Sequence, residues 1–174
     1  MTRRRPHHLA DEVFDGRNLV VSITICTPHR SKWPTQQPLA EIVRDELLLL
    51  HPVQTIIGYC IMPDHVHLLL CNAGQTLGKI MNGFKGRTSR RIRAIQPDLD
   101  VWQTGYWDHV VSRNEGLYKV LLYIFLNPVR QGLVENWWSY PWLGSPLLGE
   151  VGPQTFDLAA PEDIVWHEIL DRGP

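Results

Sequence analysis

Two periods alternate along this chain. Leu19 to Cys26 (LVVSITIC) is short and β-branched, as a strand requires. Thr27 to Pro38 is polar and proline-rich and reads as a loop. Over 39–50, Leu39, Ile42, Val43, Leu47 and Leu50 recur near helical spacing and predict an amphipathic helix. Thr55 to Met62 (TIIGYCIM) is a second strand, Pro63-Asp64 a tight turn, and His65 to Cys71 (HVHLLLC) a third strand. So short a connection predicts an antiparallel hairpin. A long helix over 76–96 follows, with Leu77, Ile80, Met81, Phe84, Thr88, Ile92 and Ile95 on one stripe. Gly83 and Gly86 weaken it, and Gln96-Pro97-Asp98 ends it. Val101 to Val111 is aromatic and β-branched, a fourth strand with an interruption at Gly105. Residues 114–126 form a third helix on Leu117, Val120, Leu121 and Ile124, and Pro128 is expected to stop it.

The order is β-α-β-β-α-β-α. It predicts an α+β fold: a ferredoxin-like βαββαβ antiparallel sheet with one appended C-terminal helix. Two helices would cover one face of the sheet and leave the other free for chemistry. Residues 1–17 read as a basic arm and 18–134 as the folded domain. Residues 135–174 read as an extension packed on that domain, rich in Trp and Pro and then acidic, with a short helix near 161–171.

Composition narrows the class. A chain of 174 residues with 44% hydrophobic and 20% charged residues is one globular domain, not a disordered segment. A net charge of −1 excludes a uniformly basic coat. The distribution is asymmetric, however. Residues 75–130 carry nine Lys and Arg against four acids, and residues 131–174 carry seven acids and one Arg. A basic middle points either to a polyanion partner or to a solvated helix face. Cys26, Cys60 and Cys71 are odd in number, lack C-x-x-C spacing and sit in strand-like runs, so buried reduced thiols are expected. The N-terminal segment lacks the apolar stretch of a signal peptide, and no run approaches the length of a membrane span. A cytoplasmic protein without a membrane partner is expected.

The candidate chemistry lies in two short stretches. His65 and His67 are i and i+2 on a strand, so both imidazoles share one face and can converge on a metal ion, or can be two partly exposed histidines beside a turn. Val66 between them points the other way. Tyr123 lies beside the apolar stripe of the third helix, and Asn127 follows four residues on, at that helix's end, on the same face. A cation held by two imidazoles and an amide oxygen keeps open positions for phosphate oxygens and acts as a Lewis acid. A neighbouring tyrosine can attack phosphorus and form a phosphotyrosine. The cations Lys79, Lys85, Arg87, Arg90, Arg91 and Arg93 on the long helix would hold further phosphates.

The segments Met62-Pro-Asp-His-Val-His-Leu-Leu-Leu and Tyr123-Ile-Phe-Leu-Asn127-Pro-Val-Arg-Gln-Gly-Leu-Val134 resemble the H-hydrophobic-H motif and the tyrosine segment of single-tyrosine HUH transposases. More closely, the chain resembles the bacterial REP-associated tyrosine transposases. Arg3-Arg-Arg-Pro-His-His, Thr24-Ile-Cys-Thr27, Phe84-Lys85-Gly-Arg87-Thr-Ser-Arg90-Arg91 and Trp102-Gln-Thr-Gly-Tyr-Trp-Asp-His109 also fit, so the resemblance runs from about residue 3 to 143. It implies a ferredoxin-like fold and cleavage of single-stranded DNA beside a hairpin through a 5′-phosphotyrosine link. It implies Mg²⁺ or Mn²⁺, with Tyr123 as nucleophile and His65, His67 and Asn127 as ligands. Arg3, Arg4 and Arg5 would suit an arm gripping the hairpin. Both monomers and homodimers occur among such proteins.

Other residues carry two readings. Trp102, Tyr106 and Trp107 can stack unpaired bases or pack a core. His109 can lie near the site or be structural. Tyr118 is a rival nucleophile on another helix face from Asn127. Two alternative functions share this pattern: a nucleic-acid-binding module with an unused site, and a phosphoesterase that uses water while Tyr123 is structural.

Overall fold

The computed structural model describes residues 18–51, 54–73, 75–112 and 116–156. A five-stranded antiparallel sheet runs in the order β4-β1-β3-β2-β5, from β1 (Asn18–Cys26), β2 (Thr55–Met62), β3 (His65–Ala73), β4 (Trp107–Val110) and β5 (Leu143–Gly144). The helices are α1 (Leu39–Leu48), α2 (Leu77–Arg93), α3 (Leu117–Phe125) and α4 (Asn127–Arg130). The first four strands and three helices follow the predicted order. The fourth strand is shorter than expected, because residues 101–106 pack as an irregular segment with Gly105 at φ 76°.

Strand parity divides the apolar residues between two cores. Val21, Ile23 and Ile25 of β1, Ile61 of β2, and Val66, Leu68 and Leu70 of β3 meet α1 and α2 on one face. On the other face Val20, Cys60, Met62, Leu69 and Cys71 meet Leu117, Leu121, Ile124 and Phe125 of α3, with Trp137 and Tyr140 from the extension. That second face is therefore covered, whereas the sequence reading expected it to be free. Its alternate strand positions are apolar too, and α3 and the extension cover most of it.

A register shift between Ile56 and Gly58 lets α3 lie close. A Cβ on Gly58 would collide with Leu121 and crowd Phe125. Strand β5 arises because the extension returns along β2, pairing Leu143 with Cys60 and Gly144 with Tyr59. Two residues carry no periodicity that could announce such a strand. The three cysteines are free and buried, as expected, and burial pushes the thiols of Cys60 and Cys71 up, Cys71 to about 11.

Glu46 ties the two helices of the first face together. Its side chain is buried on α1, and it accepts from Arg87 Nε at 2.7 Å and Arg91 Nη1 at 3.0 Å on α2. Burial pushes its carboxyl up, but the two guanidiniums outweigh that and leave its pKa lowered. A lowered folded pKa contributes stability above the unfolded value, and that contribution is lost as pH falls through the folded one. Glu46→Gln is expected to cost about 2 kcal/mol at pH 7, roughly 5 °C in Tm, and to shrink the variant's deficit below about pH 4. Thermal melts at pH 7 and pH 3.5 check this; an equal deficit at both would contradict it.

Candidate active site

The hairpin of β2 and β3 turns at Pro63-Asp64, so His65 opens β3 and His67 follows on the same face. The turn is anchored from β1's end: Thr27 donates to the Asp64 carbonyl from its backbone N–H at 3.0 Å and from Oγ1 at 2.9 Å. The two imidazoles stand at 90° with ring centroids 4.6 Å apart, and their Nε2 atoms approach to 3.0 Å.

Their other nitrogens are held from behind. His65 Nδ1 lies 2.6 Å from Asp64 Oδ1, and His67 Nδ1 lies 3.1 Å from Thr24 Oγ1 on the neighbouring strand. Arg30 in turn holds Asp64 Oδ2 at 3.2 Å. Two consecutive non-glycine residues, His29 at φ 52° and Arg30 at φ 58°, take the left-handed conformation to place that guanidinium.

The electrostatics favour the neutral form of both imidazoles. Burial lowers the pKa of His65 against the opposing pull of Asp64. Burial, with His65 and Arg30 beside it, lowers that of His67 to about 3. Burial raises the carboxyl of Asp64, but the His65 hydrogen bond and Arg30 outweigh it, so its pKa is lowered. An ionised Asp64 accepts from His65 Nδ1–H and leaves Nε2 as an acceptor. Two ligand nitrogens at adjacent corners of an octahedral ion, with bonds of about 2.1 Å, stand about 3.0 Å apart. The spacing found here fits a divalent cation. Among the described residues no cluster of three His, Cys, Asp or Glu forms, so a cation here would sit in a weakly charged, open site.

Helix α3 brings the tyrosine. The Tyr123 ring is 51% exposed and meets His67 edge-on, with centroids 6.4 Å apart. The other four tyrosines are placed differently. Tyr59 and Tyr140 are buried, Tyr106 packs against the first core, and Tyr118 donates its hydroxyl to the Phe156 carbonyl at 2.7 Å. Asn127 is buried one turn beyond Tyr123 and donates its amide nitrogen to the Tyr123 carbonyl at 2.9 Å. This commits the nitrogen end and leaves the amide oxygen as the acceptor end.

Helix α3 ends at Phe125, ahead of Pro128 as the sequence reading expected, but a further helical turn that it did not expect, α4, follows at once. Leu126 stays helical and Pro128 sits in the first turn of α4, where its missing N–H costs nothing. Gly132, at φ 65°, ends α4: Gly132 N–H reaches the Val129 carbonyl and Leu133 N–H that of Pro128, a Schellman closure. This extra turn carries Arg130 back over the Tyr123 ring, guanidinium carbon to centroid 4.6 Å.

The remaining candidates divide between the two faces of the sheet, with Trp107 and His109 on the face of the histidines and the α2 cations on the other. Helix α2 packs on the opposite face of the sheet from the histidines. Arg87 and Arg91 are engaged with Glu46, Lys85 Nζ donates to the carbonyls of Gln103 and Gly105, and Arg93 Nε donates to Leu99. Lys79 and Arg90 are exposed there. Trp102 is a core residue against Trp33 and Phe84, with its indole N–H on Thr88 Oγ1 at 2.7 Å. Trp107 pairs with Thr24 in register, and exposed His109 with Ser22. Arg3, Arg4, Arg5 and the acidic end of the chain lie outside the described residues. Sequence reasoning assigned no role to Thr24, Arg30, Asp64 or Arg130. Thr24, Asp64 and Arg130 lie within segments that carry the resemblance, whereas no local signal marked Arg30.

Comparisons with known proteins agree with this architecture. A family model described as "Transposase IS200 like" matches residues 17–125, a span that includes both histidines and Tyr123 and ends before Asn127. A Haemophilus influenzae protein provisionally named a REP-associated tyrosine transposase is 26% identical over 118 residues, covering 60% of this chain and 66% of that protein. A second, uncharacterised protein of that organism is 24% identical over 108 residues, covering 49% of this chain and 60% of its own length. The chain thus spans just under two thirds of the length of these relatives. A solved structure of a REP-associated tyrosine transposase bound to a REP hairpin matches with a TM-score of 0.63 at 18% identity, covering 82% of both chains, which shows a shared fold.

Proposed function

The chain belongs to the IS200-like transposase family, and from that premise we propose that it nicks and rejoins single-stranded DNA beside a hairpin through a phosphotyrosine at Tyr123. The observation that carries the reading is the convergence of the His65 and His67 Nε2 atoms at 3.0 Å beside an exposed tyrosine ring. His65, His67 and the Asn127 amide oxygen would hold Mg²⁺ or Mn²⁺, which supplies Lewis-acid stabilisation of charge on the non-bridging phosphate oxygens.

The chain's own residues supply the rest. Thr24 and Asp64 fix the imidazole orientations, and Arg30 fixes Asp64. The Tyr123 oxygen attacks phosphorus, the bond to the 3′-oxygen breaks, and the 5′ side stays on the protein. Rejoining is the reverse, with a 3′-hydroxyl as attacker. The hairpin would dock through cations away from the histidines, with Lys79 and Arg90 the exposed candidates on α2. End-labelled hairpin oligonucleotides with single-stranded flanks, incubated with Mg²⁺ or Mn²⁺, test the reading. Cleavage with one labelled half retained on protein supports it, whereas cleavage with both halves free supports hydrolysis by water.

The support behind His65 is separately measurable. Asp64→Ala removes its Nδ1 partner and is expected to weaken Mn²⁺ binding about 10- to 100-fold. Titration of protein with Mn²⁺, read by the free-ion resonance signal, checks this; unchanged affinity would show that Asp64 does not orient the ligand.

A further inference from the structure

Among the described residues, Arg30, Lys119 and Arg130 are cations on the segments that border or cover the face of the histidine pair. The cations of α2 lie across the sheet. Arg30 is bound to Asp64. Arg130 is different: its guanidinium lies over the Tyr123 ring, it is exposed, and among the described residues no carboxylate pairs with it.

We propose that Arg130 is a catalytic residue that grips the non-bridging oxygens of the phosphate attacked by Tyr123. The proposal rests on the phosphotyrosine reading above.

Three observations carry it. First, the Arg130 guanidinium carbon lies 4.6 Å from the centroid of the Tyr123 ring, and the N–H fork of an arginine matches two phosphate oxygens at once. Second, the placement is built by the backbone. Arg130 is seven residues, two helical turns, beyond Tyr123, so it shares that face. Helical side chains lean towards the N-terminus, which returns the long arginine over the ring. The turn exists only because Leu126 keeps helical geometry before Pro128 and Gly132 closes α4. Third, charge is needed at this point. As the phenol oxygen bonds to phosphorus and the bond to the 3′-oxygen breaks, negative charge gathers on the non-bridging oxygens, while the phenolic proton leaves to solvent and a solvent proton completes the 3′-hydroxyl. A fixed cation stabilises that transition state without itself exchanging a proton.

The test compares Arg130→Met, which fills the space over the ring without charge, with Arg130→Lys, which keeps charge but not the fork. Single-turnover formation of the covalent protein–DNA product is measured with a labelled hairpin, alongside hairpin affinity and the thermal melt of each variant. Arg130→Met is expected to slow product formation about 100-fold with affinity within about twofold, and Arg130→Lys to be about tenfold faster than Arg130→Met. A rate near wild type in Arg130→Met would overturn the proposal, since filling the space would then suffice. So would equal rates for the two variants, or a loss matched by weaker hairpin binding. If the wild-type protein forms no covalent product, or Tyr123→Phe still forms it, the phosphotyrosine reading itself fails. A Tyr123-dependent product untouched by Arg130→Met refutes this inference alone.

Discussion

Tyr123→Phe is expected to lower formation of the covalent protein–DNA product by at least about a thousandfold, with hairpin binding and thermal stability unchanged. The substitution removes one oxygen from a ring that is half exposed, so neither core loses packing. The contact with His67 and the stacking with Arg130 involve the ring, which phenylalanine keeps. What disappears is the only atom of this side chain that can bond to phosphorus. Tyr118 offers no substitute, because its hydroxyl is tied to the Phe156 carbonyl beside the second core. Denaturing gels with labelled hairpins measure the effect. Undiminished product in Tyr123→Phe would remove the nucleophile from the account.

His67→Ala is the second large effect. It is expected to weaken Mn²⁺ binding at least about a hundredfold, beyond what loss of an orienting partner costs, and to stop product formation at micromolar metal. The variant deletes one of the two convergent Nε2 atoms and leaves Thr24 Oγ1 without its imidazole. The strand itself survives, because Val66 and Leu68 on the other face hold β3 in the first core. Metal titration and the labelled-hairpin assay, run on the same preparation, check both parts. Wild-type metal affinity in His67→Ala would mean that the cation sits elsewhere.

The sequence was informative where periodicity was long or chemistry was local. Strand β2 was legible to the residue because its run is β-branched and apolar and Pro63-Asp64 closes it. The shared face of His65 and His67 followed from strand parity alone. Four features were hidden for physical reasons. Thr24 is 43 residues from His67, and only the antiparallel register of β1 and β3 puts them opposite each other. Helix α4 was masked by a local rule, since proline usually ends a helix but is tolerated in a first turn. The burial of α3's face of the sheet was underestimated because a helix after the fourth strand has no partner in the βαββαβ pattern. The basic stripe of α2 read as one patch, yet Glu46 on another helix engages two of its members.

The measurement that bears most directly on the central claim is to locate the bond between protein and DNA. A labelled hairpin is incubated with the protein and Mn²⁺, the covalent product is isolated under denaturing conditions, and nuclease and trypsin digestion reduce it to peptides. Trypsin cuts after Lys119 and Arg130, so residues 120–130 form one peptide with Tyr123 as its single tyrosine, separate from Tyr118. The account predicts nucleotide mass on that peptide, dependent on metal and fragmenting to Tyr123. Nucleotide mass on the peptide that carries Tyr118, or cleaved DNA with no peptide attached, would contradict it.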